Sequence, residues 1–380
     1  MTLFLLAFFT IYGSAHFYVF SRIKAAFPLI STVHQAGLII LMAFMILAPV
    51  LVRVSERYGY ESTACLLSYI GYIWMGVLFL VFAMSILLDA YRLLIYFAGQ
   101  FTGKNLSSLI PPSPYLFVIP LLVSLAINAY GYFEAKNIRA EQVTIRTSKI
   151  SPEVGRLRIV QISDVHIGMI IREKRLEKIV AAVKQAKPDL LVSTGDLLDG
   201  QIDNITSAAD LLRNIQPKYG KFATTGNHEF FAGIEQALEF HRQAGFIVLR
   251  GEAVTLAGLI SIAGVDDPTG ASFGLYKDVS EKRLLAKLPK ETFTMLIKHR
   301  PLIDPQSLGL FDLQLSGHTH RGQIYPFVLL TRVVFPYHSG YHELPKGSRL
   351  YVNRGAGTWG PPIRFLAPPE VAVIDLIYKD

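Results

Sequence analysis

Five short blocks between residues 164 and 320 carry side chains able to bind metal or move protons: Asp164-Val165-His166, Gly195-Asp196-Leu197-Leu198-Asp199, Gly226-Asn227-His228-Glu229, His299, and Gly317-His318-Thr319-His320. Any one of them fits a solvated loop as well as a site. Together, Asp164, His166, Asp196, Asn227, His299, His318 and His320 offer four imidazoles, two carboxylates and one amide, with no thiolate. Such a nitrogen and oxygen set suits Mn, Fe or Zn better than Ca or Mg, which prefer all-oxygen shells. Seven ligands exceed what one ion takes from protein, so two divalent ions sharing a carboxylate is the economical solution. Two ions about 4 Å apart clamp a phosphoryl group and lower the pKa of a water between them. The chemistry that follows is hydrolysis of a phosphoester or phosphoanhydride.

The elements that must position these residues alternate. Arg158–Ile162 reads as a strand and Arg172–Lys187 as a helix, with Leu176, Ile179, Val180 and Val183 at helical spacing. Strands follow at Asp189–Thr194, Lys221–Thr225, Phe246–Leu249, Leu259–Gly264, Thr294–Ile297, Leu313–Ser316 and Val371–Ile377, with helices at Ile205–Ile215 and Ile234–Ala244. Each reactive block falls just after a strand, and ligands of α/β sheets collect at the carboxyl ends of strands. The glycines before Asp196 and Asn227 are expected to let the backbone turn tightly there.

In this order the blocks resemble the calcineurin-like metallophosphoesterase superfamily, from about Arg158 to the end of the chain. The resemblance implies a two-sheet α/β sandwich with helices on both outer faces. It implies Asp164, His166, Asp196 and His320 around one metal, and Asp196, Asn227, His299 and His318 around the other, with Asp196 bridging. His228 would be the general acid, while Asp199 and Glu229 orient it and its neighbours. Gly317 to Gln323 and the tail Asn353-Arg354-Gly355 to Pro368-Pro369-Glu370 resemble bacterial membrane-associated members. Some of those are similar to enzymes that cleave the pyrophosphate of UDP-2,3-diacylglucosamine in lipid A synthesis. Arg321 stands where relatives often have Gly; pointing inward, it would bind a second phosphate.

Other polar residues have plainer readings. His338 and His342 suit solvent or substrate contact, Asp266 and Asp267 a turn before Pro268, and Trp359 core or loop packing. His241 has no partner in sequence.

The first third of the chain is a different material. Thr2–Phe20, Ala25–Val52, Ser62–Leu88 and Leu106–Phe133 contain no Asp, Glu, Lys or Arg, and each is near or above the ~20 residues a helix needs to cross hydrocarbon. The Met-Thr-Leu-Phe start lacks the basic stretch of a signal peptide. Four transmembrane helices are therefore expected in residues 1–133, then a linker and first strand over 134–157, then the metallophosphoesterase domain over 158–380. Arg22, Lys24, Arg92 and Lys104 fall in the first and third loops and Arg53 and Arg57 in the second. With Lys136, Arg139, Arg146 and Lys149 after the last span, the even side carries more Lys and Arg, so the positive-inside rule places both termini and the large domain in the cytoplasm; a bacterial inner membrane is the expected location.

The formal net charge is +8, but basic and acidic residues are interspersed, so a solvated surface explains most of them and nucleic acid is not favoured. The single cysteine, Cys65, excludes an internal disulfide and a thiolate cluster. The expected partners are the bilayer and a phosphorylated, lipid-linked substrate; no protein partner is identifiable. Two other readings stay open: a broad-specificity phosphodiesterase or phosphatase merely tethered to the membrane, and a non-catalytic membrane scaffold that retains the fold.

Overall fold

The computed structural model describes residues 2–200, 206–256 and 259–379, with side chains from Leu5 onward. The chain divides into two units, Met1–Tyr132 with Gly360–Ile363, and Phe133–Trp359 with Arg364–Asp380.

The first unit holds four helices: α1 (Thr2–Ala26), α2 (Thr32–Arg57), α3 (Glu61–Thr102) and α4 (Ser113–Glu134). Among the described residues, Thr32–Arg57, Glu61–Thr102 and Ser107–Glu134 are long and apolar enough to cross a membrane by length and composition. The remaining expected span corresponds to α1, whose residues 2–4 have side chains outside the description. The third span departs from expectation. Asp89 and Arg92, expected in a loop, lie inside α3, which runs unbroken for 42 residues to a left-handed Gly103. Asp89 accepts a hydrogen bond from Tyr18 Oη at 2.6 Å and pairs with Arg22 and Arg92. Those partners offset the cost of a carboxylate in an apolar helix, so nothing ends α3 there. Arg92 thereby leaves the loop on which the orientation expectation drew. His16 receives the Trp74 indole N–H at 2.9 Å, a bond between α1 and α3.

The second unit opens with β1 (Arg139–Thr147), β2 (Arg156–Ile162), α5 (Glu173–Ala186), β3 (Leu190–Ser193), α6 (Thr206–Arg213) and β4 (Lys221–Ala223). It continues with α7 (Asn227–Ala232), α8 (Ile234–Gln243), β5 (Ile247–Val248), β6 (Glu252–Leu256), β7 (Ile260–Gly264), α9 (Glu281–Leu285), β8 (Phe293–Ile297) and β9 (Leu313–Ser316). Last come α10 (Val328–Val334), β10 (Gly340–Glu343), β11 (Arg349–Val352) and β12 (Glu370–Tyr378).

Two six-stranded sheets form, in the orders β1-β12-β2-β3-β4-β5 and β10-β11-β9-β8-β7-β6. β2 through β5 pair in parallel, as do β7, β8, β9 and β11. Parallel strands covered on both faces read as unbroken apolar runs, and Leu190-Leu191-Val192 is buried throughout. Leu190, Val192, Ile260, Ile262, Met295, Leu313 and Leu315 fill the layer between the sheets.

The outer face of the first sheet carries α5, α6 and α8. Leu176, Ile179, Val180 and Val183 of α5 pack there with Val160, Ile162 and Leu191. Burying four such side chains is worth roughly 1.5–3 kcal/mol each relative to water. Ala263, Leu296 and Val352 on the outer face of the second sheet meet Leu285 of α9. The expected sandwich is the observed one. Because the parallel strands run the same way within each sheet, β2, β3, β4, β8 and β9 each end in a reactive block.

Candidate metal centre

Asp164 and His166 follow β2, Asp196 and Asp199 follow β3, Asn227 opens α7 after β4, His299 follows β8, and His318 and His320 follow β9. Among the described residues three groupings that could hold a metal ion result, in each of which one donor atom per residue lies within 4.8 Å of the others: Asp164, His166 and His320; His166, Asp196 and His228; Asp196, His299 and His318.

Their atoms face one another in ways protein alone does not satisfy. His166 Nε2 is 3.1 Å from His320 Nε2, and that atom is 3.3 Å from Asp164 Oδ1. In the other grouping, His299 Nδ1 donates to the Thr194 carbonyl at 2.8 Å, which aims Nε2 inward. That Nε2 meets Asp196 Oδ2 at 3.1 Å and His318 Nδ1 at 3.1 Å. Asn227 Oδ1 is buried with no hydrogen-bond partner among the described residues. Imidazole nitrogens and carboxylate oxygens crowded in one buried pocket, beside an unpartnered amide oxygen, form a donor set that borderline N/O-binding cations fit.

The backbone at these positions is unusual. Asp164, His166, Asp196, His318 and His320 all have positive φ, between 48° and 71°. Left-handed non-glycine residues cost on the order of 1 kcal/mol or more, and they gather where function over-determines the geometry. Gly195, at φ +93°, makes the expected turn. Gly226 corrects the expectation: its φ of −102° is open to any residue. Glycine is needed there because a Cβ would sit on Asp196 Oδ1.

Glu229 holds the second ligand loop. Its carboxylate accepts the backbone N–H of Asp196 (2.9 Å), Leu197 (2.8 Å) and Gly226 (2.7 Å). The expected service to neighbouring groups is thus to the Asp196 loop rather than to the His228 ring. Asp199 lies beside that ring, with Oδ1 2.9 Å from His228 Nδ1, an ion-pair contact.

Burial alone would drive His228 toward neutrality. The carboxylates of Asp196, Asp199 and Glu229 outweigh it and raise its pKa to about 9. His299 is likewise pulled down by burial yet raised to about 10, chiefly by Asp196. His166 and His318 go the other way, to about 3 and about 4, first through burial and then through the neighbouring His228 and His299 respectively. Asp196 stays well below the usual carboxylate range because its imidazole neighbours, His299 foremost, outweigh its burial.

Sequence reading missed one organiser. Arg364 is fully buried, and its guanidinium donates to the carbonyls of His320, Arg354, Gly355 and Gly357 and to His320 Nδ1. It ties the tail loop to the last ligand. The tail also bonds to the first ligand loop, where Gly357 N–H donates to the Asp164 carbonyl at 2.9 Å. The residue was visible only as part of the tail resemblance; nothing in its type announced a buried role.

Other expectations resolve variously. Asp266 and Asp267 do more than turn: each is buried against an arginine, Arg250 and Arg300 respectively, and Asp267 caps a short helical turn. His338 meets Arg332 and His342 the Ser339 carbonyl, and neither joins a ligand grouping among the described residues. His241 bonds to the Ala237 carbonyl within its own helix. Trp359 is half exposed, its ring 6.0 Å from that of His228. Arg321 is half-buried at φ +51°; the pKa of His338 is lowered first by burial, then by the charges of Arg332 and Arg321.

Comparison with known proteins agrees with this geometry. Residues 157–322 match the family model described as calcineurin-like phosphoesterase. A metallophosphoesterase of Aquifex aeolicus is 39% identical over 258 residues, covering 67% of this chain and 98% of its own. One of Campylobacter jejuni is 29% identical over 377 residues, 96% of each chain. A transmembrane protein with metallophosphoesterase domain from Danio rerio is 29% identical over 273 residues, covering 68% of this chain and 62% of that one. With the three apolar helices, that last name points to a membrane protein. The five ligand blocks, the two-sheet fold and the Aquifex relative lead to one conclusion: this chain belongs to the calcineurin-like phosphoesterase family, a family of metal-dependent phosphoesterases.

Proposed function

We propose that this is a membrane-borne dinuclear hydrolase of a lipid-linked phosphoester or pyrophosphate, with UDP-2,3-diacylglucosamine the most specific candidate. The observation that carries the reaction class is Asp196, whose carboxylate belongs to groupings on both sides of it, with His166 and with His299 and His318. Asp164, His166, Asp196 and His320 would hold one ion and Asp196, Asn227, His299 and His318 the other. Two divalent ions held there, Mn, Fe or Zn, would supply positive charge for the phosphoryl oxygens and an acidified water at neutral pH.

The protein's own part is positioning and proton transfer. His228, kept protonated by Asp196 and Asp199, donates a proton to the departing oxygen. Glu229 keeps Asp196 in place through the backbone of its loop. Arg321 is assigned to a second phosphate. For a pyrophosphate, addition of water across the bridging oxygen yields two phosphomonoesters, and the His228 proton neutralises the oxygen that leaves.

Support for a lipid-linked substrate comes from the apolar helices and from half-exposed rings beside the acid, Trp359 and Phe231, 6.0 and 5.5 Å from His228. We assign the catalytic domain to the cytoplasmic side of a bacterial inner membrane. The test is hydrolysis of UDP-2,3-diacylglucosamine and acyl-shortened analogues by the full chain in nanodiscs, beside a chromogenic phosphodiester. The rate should fall as the acyl chains shorten. Indifference to acyl length, with the chromogenic ester still cleaved, would leave a tethered broad-specificity phosphodiesterase; no turnover of either with metals bound would leave a scaffold.

A further inference from the structure

The helix that follows the last ligand loop has no buried residue. α10 has the sequence Val-Leu-Leu-Thr-Arg-Val-Val, and Leu329, Leu330, Val333 and Val334 are 53%, 62%, 82% and 65% exposed, with Tyr325 and Phe327 exposed just before it. A short apolar helix without one buried residue is unusual, since surface helices bury one stripe. Both ends of α10 are tied to the ligand loop. At its start the backbone of Val328 lies so close to Gly322 that a Cβ there would collide with it. At its end the Phe335 ring stands 5.1 Å from the His318 ring, and the His338 carbonyl accepts from Thr319 Oγ1 at 2.6 Å.

We infer that α10 is an interfacial docking element, seating its apolar side chains in the headgroup boundary of an anionic bilayer. Three features select lipid over a protein partner. The chain carries helices of membrane-crossing length, and only residues 135–138 separate α4 from β1. Arg332 lies within α10 and is exposed, a placement suited to anionic headgroups. Tyr325 and Trp359 bring the amphipathic rings that favour membrane interfaces, and the segment bearing Tyr325 bonds along the tail through Phe365 and Gln323.

The single cysteine makes the test direct. In a Cys65→Ala background, Val333→Cys and, as a water-exposed reference, Lys290→Cys are labelled with an environment-sensitive fluorophore. The full chain is then placed in nanodiscs of phosphatidylcholine with and without phosphatidylglycerol. The label at 333 should emit to the blue of the label at 290 and be quenched severalfold more by nitroxide-bearing lipid than by aqueous iodide, most strongly in the anionic discs. Equal iodide quenching at both positions would overturn the inference. So would quenching by lipid that ignores phosphatidylglycerol, or protection at 333 that persists without lipid and grows with protein concentration, the mark of a second copy. No turnover enters the readout, so its failure and that of the hydrolytic reading are distinguishable.

Discussion

Arg364 Nη2 donates to His320 Nδ1 at 3.0 Å, so the second histidine of the His-x-His block is steered by a guanidinium 44 residues later in the chain. Burial lowers the pKa of this arginine to about 9, and its donors are spent mainly on carbonyls. The His320 ring is thereby oriented with Nε2 toward Asp164 and His166.

Arg364→Ala should therefore act on stability and on metal together. Leaving several buried carbonyls without donors costs on the order of 4 kcal/mol, or roughly 10 °C in melting temperature for a domain of this size. Arg364→Lys, keeping charge but losing the fork, should retain more of the melting temperature and still bind metal more weakly. Thermal melts with and without chelator measure both; a variant with unaltered melting and metal content would remove Arg364 from this role.

The Asp199–His228 pair sets a pH dependence. His228 is raised to about 9, so the acid form prevails at neutral pH and is lost as pH rises through its pKa. Bound cations would lower that value, placing the basic limb of kcat/KM at or below about 9. Removing the Asp199 charge lowers it further, so Asp199→Asn should shift the limb to lower pH, with a loss of about tenfold or more in kcat. His228→Ala should lose ~10²–10⁴-fold and the limb itself. Profiles on a chromogenic diester decide it; a limb that does not move in Asp199→Asn would contradict the assignment.

Glu229→Gln keeps the shape of the side chain while turning an amide toward backbone N–H groups that now meet a carboxylate. The expected loss is about 2–4 kcal/mol of stability, with weaker metal binding through displacement of Asp196. Denaturation and metal titration of the full chain in detergent give both quantities, and an unchanged metal affinity would limit Glu229 to a structural part.

Gly226→Ala probes close approach without touching a charge. The added methyl would meet Asp196 Oδ1 and the Asp196 backbone, so metal affinity should fall by roughly 10–100-fold, while a strand-end turn needing only conformational freedom would be unaffected at φ −102°. Isothermal titration with Mn distinguishes the two.

The ligand blocks were legible because parallel strands buried on both faces leave unbroken apolar runs that end abruptly at polar residues, as at Leu190–Ser193 before Asp196. β6, β10 and β11 were not, since their apolar and polar residues do not announce a strand without its neighbours: β10 alternates half-buried and exposed positions around Tyr341. The insertion of β12 between β1 and β2 joins residues more than 200 apart, and no local pattern carries that. Gly226 was found for the wrong reason, because sequence signals a need for glycine without saying whether a dihedral or a neighbour imposes it. Arg364 was invisible as a buried group: only the assembled carbonyls around it make its burial tolerable.

Metal content per chain, measured by mass spectrometry on the full chain and on Asp196→Ala after reloading with Mn, tests the shared-carboxylate site most directly. The parent should hold two ions and cleave a chromogenic diester, whereas the variant, its fold verified by circular dichroism, should lose occupancy at both positions and with it turnover. An active parent that never exceeds one ion per chain, or an Asp196→Ala variant that keeps two, would contradict the dinuclear centre.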